Sequence, residues 1–232
     1  MKIFDLPGAV MTLASIRNDF DEIARLSDRH VTGNNRYYSF LVSLVPAEAA
    51  KVLDIGCGLG ELTSRLVIAN REVTGIDLSP EMIMRARKKL TDNKALSFLC
   101  GNFLEQDFGS DQFDCVTSAA TLHHMQQDVA IARMVDLLRP GGRLVINDIR
   151  SDVGLIDHAR TYFVLGQEGV GRLLRTGRLR TPRAVREAWT RHCATEKYLT
   201  LGEVKEMASR LLPGAKIYYH WLWQYTIIWD RR

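Results

Sequence analysis

No apolar run in this chain approaches the roughly 18 residues needed to cross a bilayer, so no membrane-spanning helix is expected. The four cysteines, Cys57, Cys100, Cys115 and Cys193, include no CxxC pair. Structural zinc is therefore not expected, and neither is any other metal site. Three of them sit in apolar, strand-like stretches, as reduced thiols of a cytoplasmic protein do. Internal repeats, low-complexity tracts and a long Pro/Ser linker are also missing. Asp5 and Pro7 interrupt any signal-peptide core at the amino terminus, which reads as mature protein.

What is present is a globular balance of 46% hydrophobic and 25% charged residues over 232 positions. That composition argues against disorder, coiled coil and collagen. The length suits one substantial domain with a helical embellishment, large enough to bury a core without staples. Apolar runs at Val52–Ile55, Val73–Ile76, Leu96–Leu99, Phe113–Thr117 and Leu144–Ile149 predict strands. Between them fall helices over Glu61–Ala69, from Ser79-Pro80 to about Leu90, and from about Asp128 to Pro140-Gly141-Gly142. Ser79 can cap the second of these, and Pro80 suits a first turn, where its missing amide costs nothing. Such alternation predicts βαβ units and a mostly parallel sheet.

Outside the centre the pattern changes. Residues 1–45 predict helix, with Ile16, Phe20, Ile23 and Leu26 at helical spacing. After the fifth strand come four helices, at His158–Leu165, Val170–Leu174, Arg183–Cys193 and Leu201–Leu211. The tail, Lys216–Trp229, predicts two closing strands or one long bent one. The expected division is thus an amino-terminal helical cap at 1–45, a core at 46–149, a helical cap at 150–213 and closing strands at 214–232. The net charge is +4, but residues 1–149 are net acidic and 150–216 net basic. A solvated helix face explains that asymmetry as well as a partner surface does.

The sharpest motif is Val52-Leu53-Asp54-Ile55-Gly56-Cys57-Gly58-Leu59-Gly60. A strand enters a turn with glycine at three alternate positions, and a helix follows. Glycine permits positive φ and close backbone approach, so such a turn can wrap a flat or anionic group. Next, Gly75-Ile76-Asp77-Leu78-Ser79 puts a carboxylate at a strand's end, where it can accept both ribose hydroxyls of a nucleoside. Cys100-Gly101-Asn102-Phe103 then places a polar side chain beside an aromatic ring. A dinucleotide-dependent dehydrogenase would need G-x-G-x-x-G, and here Glu61 stands where the third glycine should be.

In this order the motifs, with Phe113-Asp114-Cys115-Val116 and Leu138-Arg139-Pro140-Gly141-Gly142, resemble the class I S-adenosylmethionine-dependent methyltransferases over roughly residues 51–149. The resemblance implies a Rossmann-like, doubly wound seven-stranded α/β sheet whose last strand is antiparallel. It also implies S-adenosylmethionine as cofactor. Gly56, Cys57, Gly58 and Gly60 would pack under its methionine and ribose. Asp54 would hold that loop and reach the methionine amino group, and Asp77 would take the ribose hydroxyls. Leu78 and Phe103 would flank the adenine, and Asn102, where many relatives carry Asp, would take the adenine amino group.

Methyl transfer requires alignment and a dry site more than any fixed catalytic set. The Asn/Asp-Pro-Pro-aromatic motif of amide and base methylation is missing after the fourth strand, and so is the Pro-Cys nucleophile of cytosine-C5 enzymes. The residues there include His123 and His124, either of which is a candidate general base. His158, Tyr162, Arg172, Arg175 and His192 are polar candidates for an acceptor pocket. The Arg-rich stretch Arg172–Arg191 offers only Trp189 for stacking, so nucleic acid is not the expected partner. The expected acceptor is a small organic molecule methylated on O or N. An RNA or protein acceptor, and a binding module without catalysis, stay open. The oligomeric state is not legible.

Overall fold

A computed structural model describes residues 12–26, 35–90, 93–151, 154, 182–221 and 223–232. Seven strands form one sheet in the order β3-β2-β1-β4-β5-β7-β6. They are β1 (Lys51–Ile55), β2 (Glu72–Asp77), β3 (Leu96–Cys100), β4 (Phe113–Ala119), β5 (Leu138–Ile149), β6 (Lys216–Tyr219) and β7 (Gln224–Asp230). The first five pair in parallel, whereas β7 runs antiparallel to both of its neighbours. The tail is therefore two strands, and the expected sheet with an antiparallel last strand is present. Chain order reverses between β1 and β4, and ligands of open α/β sheets bind beyond the carboxyl ends at such a switch point.

Helices cover both faces. The helices are α1 (Leu13–Leu26), α2 (Asn35–Leu44), α3 (Glu61–Leu66), α4 (Pro80–Lys89), α5 (Gln127–Leu137), α6 (Arg183–Thr195) and α7 (Leu201–Leu211). In β1 the two-residue side-chain period decides which face each residue meets. Leu53 and Ile55 join the core under α5 and α7, with Ile131, Met134, Val204 and Met207. Val52 points to the other face, with Leu41, Leu62 and Leu66 of α2 and α3. Burial on both faces explains why the parallel strands read as continuous apolar runs.

Ser79 caps α4 as expected, its hydroxyl accepting from the Met82 amide, with Pro80 in the first turn. At α5 the structure departs from the sequence reading. The helix ends at Leu137, and Leu138 already pairs with Phe113 as the first residue of β5. Pro140-Gly141-Gly142 lies inside the strand as a register irregularity, after which Arg143 pairs with Cys115. Helical periodicity could not separate Leu138 from the preceding helix face, because a strand residue buried beside it is equally apolar.

The four residues at helical spacing all lie in α1. Ile16 and Ile23 are buried, but Leu26 is exposed at its end. α1, α4 and α6 meet through Ile23, Ala24, Met82 and Ala188, with Phe20, Leu59 and Trp189 packed alongside. The expected helices at His158–Leu165 and Val170–Leu174 lie outside the described residues. Among the described residues no helix is long and apolar enough to cross a membrane.

Candidate active site

A cavity with about 1170 Å³ of unfilled space, its solvent mouth included, opens at the carboxyl ends of the strands. Ile55 through Leu59, Ile76 through Leu78, Gly101 through Phe103 and Ala119 through Thr121 line it from the sheet. Leu13, Ile16 and Phe20 of α1 and Trp189 of α6 line it from the helices.

The β1–α3 turn is built by three left-handed glycines, with φ of +70° at Gly56, +52° at Gly58 and +74° at Gly60. The requirement is strictest at Gly56, where a Cβ would lie 2.0 Å from Thr121 Oγ1. Its amide and that of Cys57 donate to the Ile76 carbonyl, at 2.8 and 3.1 Å. These bonds fix the turn to the end of β2. Gly58 is different: nothing lies within 4 Å of where its Cβ would be, and it lines the cavity. Cys57 also lines the cavity, but burial, with the Asp77 and Asp54 carboxylates, holds its thiol well above its ordinary pKa. It is an inert wall.

The two strand-end acids diverge in role. Asp77 lines the cavity, and it also ties the turn, accepting from the Gly58 amide at 2.8 Å and from the Ser79 amide at 2.9 Å. Burial raises its pKa, against the effect of those two amides. Each of its oxygens keeps a second lone pair for a ligand. Asp54 does not line the cavity. The period of β1 turns it onto the α3 face, where it accepts from Thr63 Oγ1 at 2.7 Å and from Thr117 Oγ1 at 3.0 Å. Desolvation pushes its pKa up to about 6, despite these hydroxyls. Here it ties the first turn of α3 to β4. Gly60 likewise lies outside the wall, packed toward Leu90 and Phe98.

Leu78, Asn102 and Phe103 all line the cavity. Asn102 Oδ1 accepts from the Leu104 amide and its Nδ2 donates to Glu105, which fixes the amide's orientation. Phe103 is at once wall and core. Asp21 of α1 was not expected here. It accepts from Ser79 Oγ at 2.5 Å, bracing the cap against the start of α4. Tyr38 is a further unforeseen lining residue, its phenol kept protonated first by burial, then by Asp54 and Glu61.

The two histidines separate in role. They sit on the 3-10 turn Leu122–His124, reached through Ala120 at a left-handed φ of +53°. His124 lines the cavity, its ring edge-on to Phe20 at 5.3 Å. His123 does not. Asp148, at the carboxyl end of β5, accepts from its backbone amide at 2.8 Å and faces its Nδ1 at 2.5 Å. Glu196, just beyond α6, lies 3.0 Å from His124 Nδ1 and 3.9 Å from His123 Nε2. Burial acts to lower the His123 pKa, but Asp148 and Glu196 outweigh it and the net shift is upward. For His124, burial and the neighbouring His123 prevail over Glu196, and the shift is downward. Asp148 could have been suspected from its place at a strand's carboxyl end. No local signal marked Glu196. His192 joins this cluster, while His158, Tyr162, Arg172 and Arg175 lie outside the described residues.

The fold so described is a Rossmann-like doubly wound sheet with an antiparallel last strand, and solved methyltransferase structures share it. Residues 53–146 match a family model described as a methyltransferase domain. An uncharacterized methyltransferase of Bacillus cereus strain 03BB102 is 36% identical over 140 residues, which is 56% of this chain and 65% of that relative. Among solved structures, the N-methyltransferase NodS of Bradyrhizobium japonicum WM9, in complex with S-adenosyl-L-homocysteine, has a TM-score of 0.61 at 18% identity. That match covers 92% of this chain and 98% of the other. A chain from the complex of the Haloferax volcanii Trm112 methyltransferase activator with a methyltransferase also gives 0.61 at 18% identity, covering 91% and 96%. Residues 53–146 are therefore similar to a methyltransferase domain, and the chain spans just under two thirds of the length of the curated relatives it matches. The residues fit that family's methyl donor, since the open face of Gly58 and the Asp77 carboxylate both front the cavity.

Proposed function

We propose that this chain transfers a methyl group from S-adenosylmethionine to a small organic acceptor, through oxygen or nitrogen. The observation that carries the reading is one cavity lined both by the glycine turn with Asp77, Leu78 and Asn102 and by Phe20, Met125, Trp189 and His124. Gly56–Gly58 would bear the methionine and ribose, Asp77 would take the ribose hydroxyls, and Leu78, Asn102 and Phe103 would hold the adenine. Bound there, the cofactor supplies an electrophilic methyl group on a sulfonium.

The remaining work falls to the protein. α1 and α6 exclude water and confine the acceptor, which favours the in-line approach. Phe20, Met125, Trp189 and His124 would hold the acceptor where it could take that methyl group. His124 is the polar group at the acceptor end. Its lowered pKa keeps it neutral at neutral pH, able to take a proton from a hydroxyl or orient an amine. His123 acts through Asp148 as a positioning residue. Cytoplasmic residence, with no membrane or nucleic-acid partner, completes the reading.

The test is labelled methyl transfer from S-adenosylmethionine into total RNA, total protein and a small-metabolite extract. Label in the extract is the expected result. Incorporation mainly into RNA or protein overturns the small-acceptor reading, and no incorporation beside firm S-adenosylhomocysteine binding makes the chain a non-catalytic binding module.

A further inference from the structure

We propose that His123, His124 and Glu196 form a binding site for one divalent transition-metal ion of the zinc class, which ties α6 to the 3-10 turn after β4. One ligand atom from each of the three lies within 4.8 Å of the others. The three side chains are 6%, 8% and 2% exposed, so little of the group meets bulk water. His124 Nδ1 and Glu196 Oε1 face each other at 3.0 Å, and neither buried atom has a further hydrogen-bond partner among the described residues. Orphaned buried polar atoms are uncommon and call for an explanation, an ion among them.

The surroundings carry the argument further. A metal-ligating histidine typically gives its other ring nitrogen to a carboxylate, which fixes the tautomer and aims the ligating lone pair. His123 does so: Asp148 holds Nδ1 at 2.5 Å while Nε2 faces Glu196. His192 repeats the arrangement, with Nδ1 3.2 Å from Asp19 and Nε2 3.4 Å from Glu196 Oε1. Three imidazoles thus converge on one carboxylate, two of them braced by a carboxylate behind.

The donor set selects the ion. Imidazole nitrogens suit zinc, iron, nickel and copper, whereas magnesium and calcium take oxygen ligands. Two imidazoles and a carboxylate provide the three protein ligands common at zinc sites with an open position, which His192 or a water can fill. Because His192 and Glu196 belong to the cap while His123 and His124 belong to the core, the ion would fix the wall that His124 gives the cavity.

The proposal does not rest on the acceptor assignment, because it is read by metal binding without turnover. Untagged full-length protein, stripped with chelator, is titrated with cobalt(II) and followed by its visible ligand-field bands, with zinc in competition. One ion per chain is expected, held on nitrogen and oxygen. Glu196→Gln and His124→Asn are each expected to weaken binding by about 100-fold or more. Asp148→Asn, which leaves all three ligands in place, should weaken it about 10–100-fold. Zinc should raise the melting temperature of the parent and not that of Glu196→Gln, whose melt without metal reports its folding. Binding undiminished in Glu196→Gln and Asp148→Asn overturns the proposal, as does the lack of one-to-one binding. Thiolate charge-transfer bands would place the ion on a cysteine and overturn it equally.

Discussion

At the glycine-turn end of the cavity, the lining groups come from three consecutive strand-to-loop junctions, after β1, β2 and β3, and are tied mainly by backbone amides and carbonyls. At the histidine end, Phe20, His124, Asp148, His192 and Glu196 arrive from separate segments and meet only in the folded chain. The first end depends on backbone conformation, so a single methyl group can destroy it. The second depends on side-chain chemistry, so substitutions there should change rate and ion binding before they change the fold.

Gly56→Ala should show the largest effect of this contrast. The substitution forces a Cβ onto the Thr121 side chain and a left-handed φ onto alanine. Overpacking costs about 1–3 kcal/mol and the left-handed backbone about 1–2 kcal/mol more. We expect a lower melting temperature and loss of S-adenosylhomocysteine binding by calorimetry. Wild-type affinity in Gly56→Ala would mean that the turn is not the donor's seat.

His124→Ala breaks the other end. Turnover against an acceptor found by the labelling experiment should fall about 10²–10⁴-fold, with S-adenosylhomocysteine affinity unchanged. His123→Ala should cost less, because that ring lies off the cavity wall and acts through its neighbour. Equal losses in the two variants, or none in either, would erase the distinction drawn between them.

The two ends were not equally legible. Strand–glycine–helix spacing announced the turn, and Asp77 followed from its place at the end of β2. Side-chain period already contained the inward orientation of Asp54, but the family resemblance pointed it toward the ligand instead. The metal-ligating group was invisible for another reason. The cysteines gave no ligand spacing, and Glu196 is far in sequence from His123 and His124, so only the packing of α6 against the core unites them. Leu138 misled because burial in a strand and on a helix face leaves the same apolar signature.

The two strand-end acids test that difference at smaller scale. Asp77→Ala should weaken S-adenosylhomocysteine by about 1.5–3 kcal/mol, the range for hydrogen bonds to a charged group. Asp54→Asn should change affinity much less and alter the pH dependence of stability instead. With a folded pKa near 6 against an unfolded value of 3.8, Asp54 binds its proton more tightly in the native state. Its contribution is complete below the unfolded value and is lost as pH rises through 6. At about 1.4 kcal/mol per unit, that is about 3 kcal/mol. Melting followed from pH 4 to 8 should therefore show a decline in the parent that Asp54→Asn reduces, and parallel curves would remove the buried-acid account.

The smallest effect is expected on the basic side of the cap. Of the arginines expected to form a solvated face, Arg172, Arg175, Arg178 and Arg180 lie outside the described residues, and Arg183 begins α6. Its guanidinium bonds Glu187 one turn on at 2.6 Å, with both side chains largely exposed. Exposed pairs of this kind contribute little, and a guanidinium already neutralised by a neighbour is a poor phosphate contact. Arg183→Ala should leave the melting temperature unchanged, and RNA binding should stay weak in parent and variant alike. The measurement is affinity for single-stranded RNA across a salt series. A polynucleotide held by several phosphate contacts gives a steep fall of log affinity with log salt, and losing one contact lowers that slope by about one. A steep parent slope that Arg183→Ala reduces would make this helix a nucleic-acid face and move the acceptor out of the small cavity. A shallow slope in both proteins leaves the cavity as the acceptor's place.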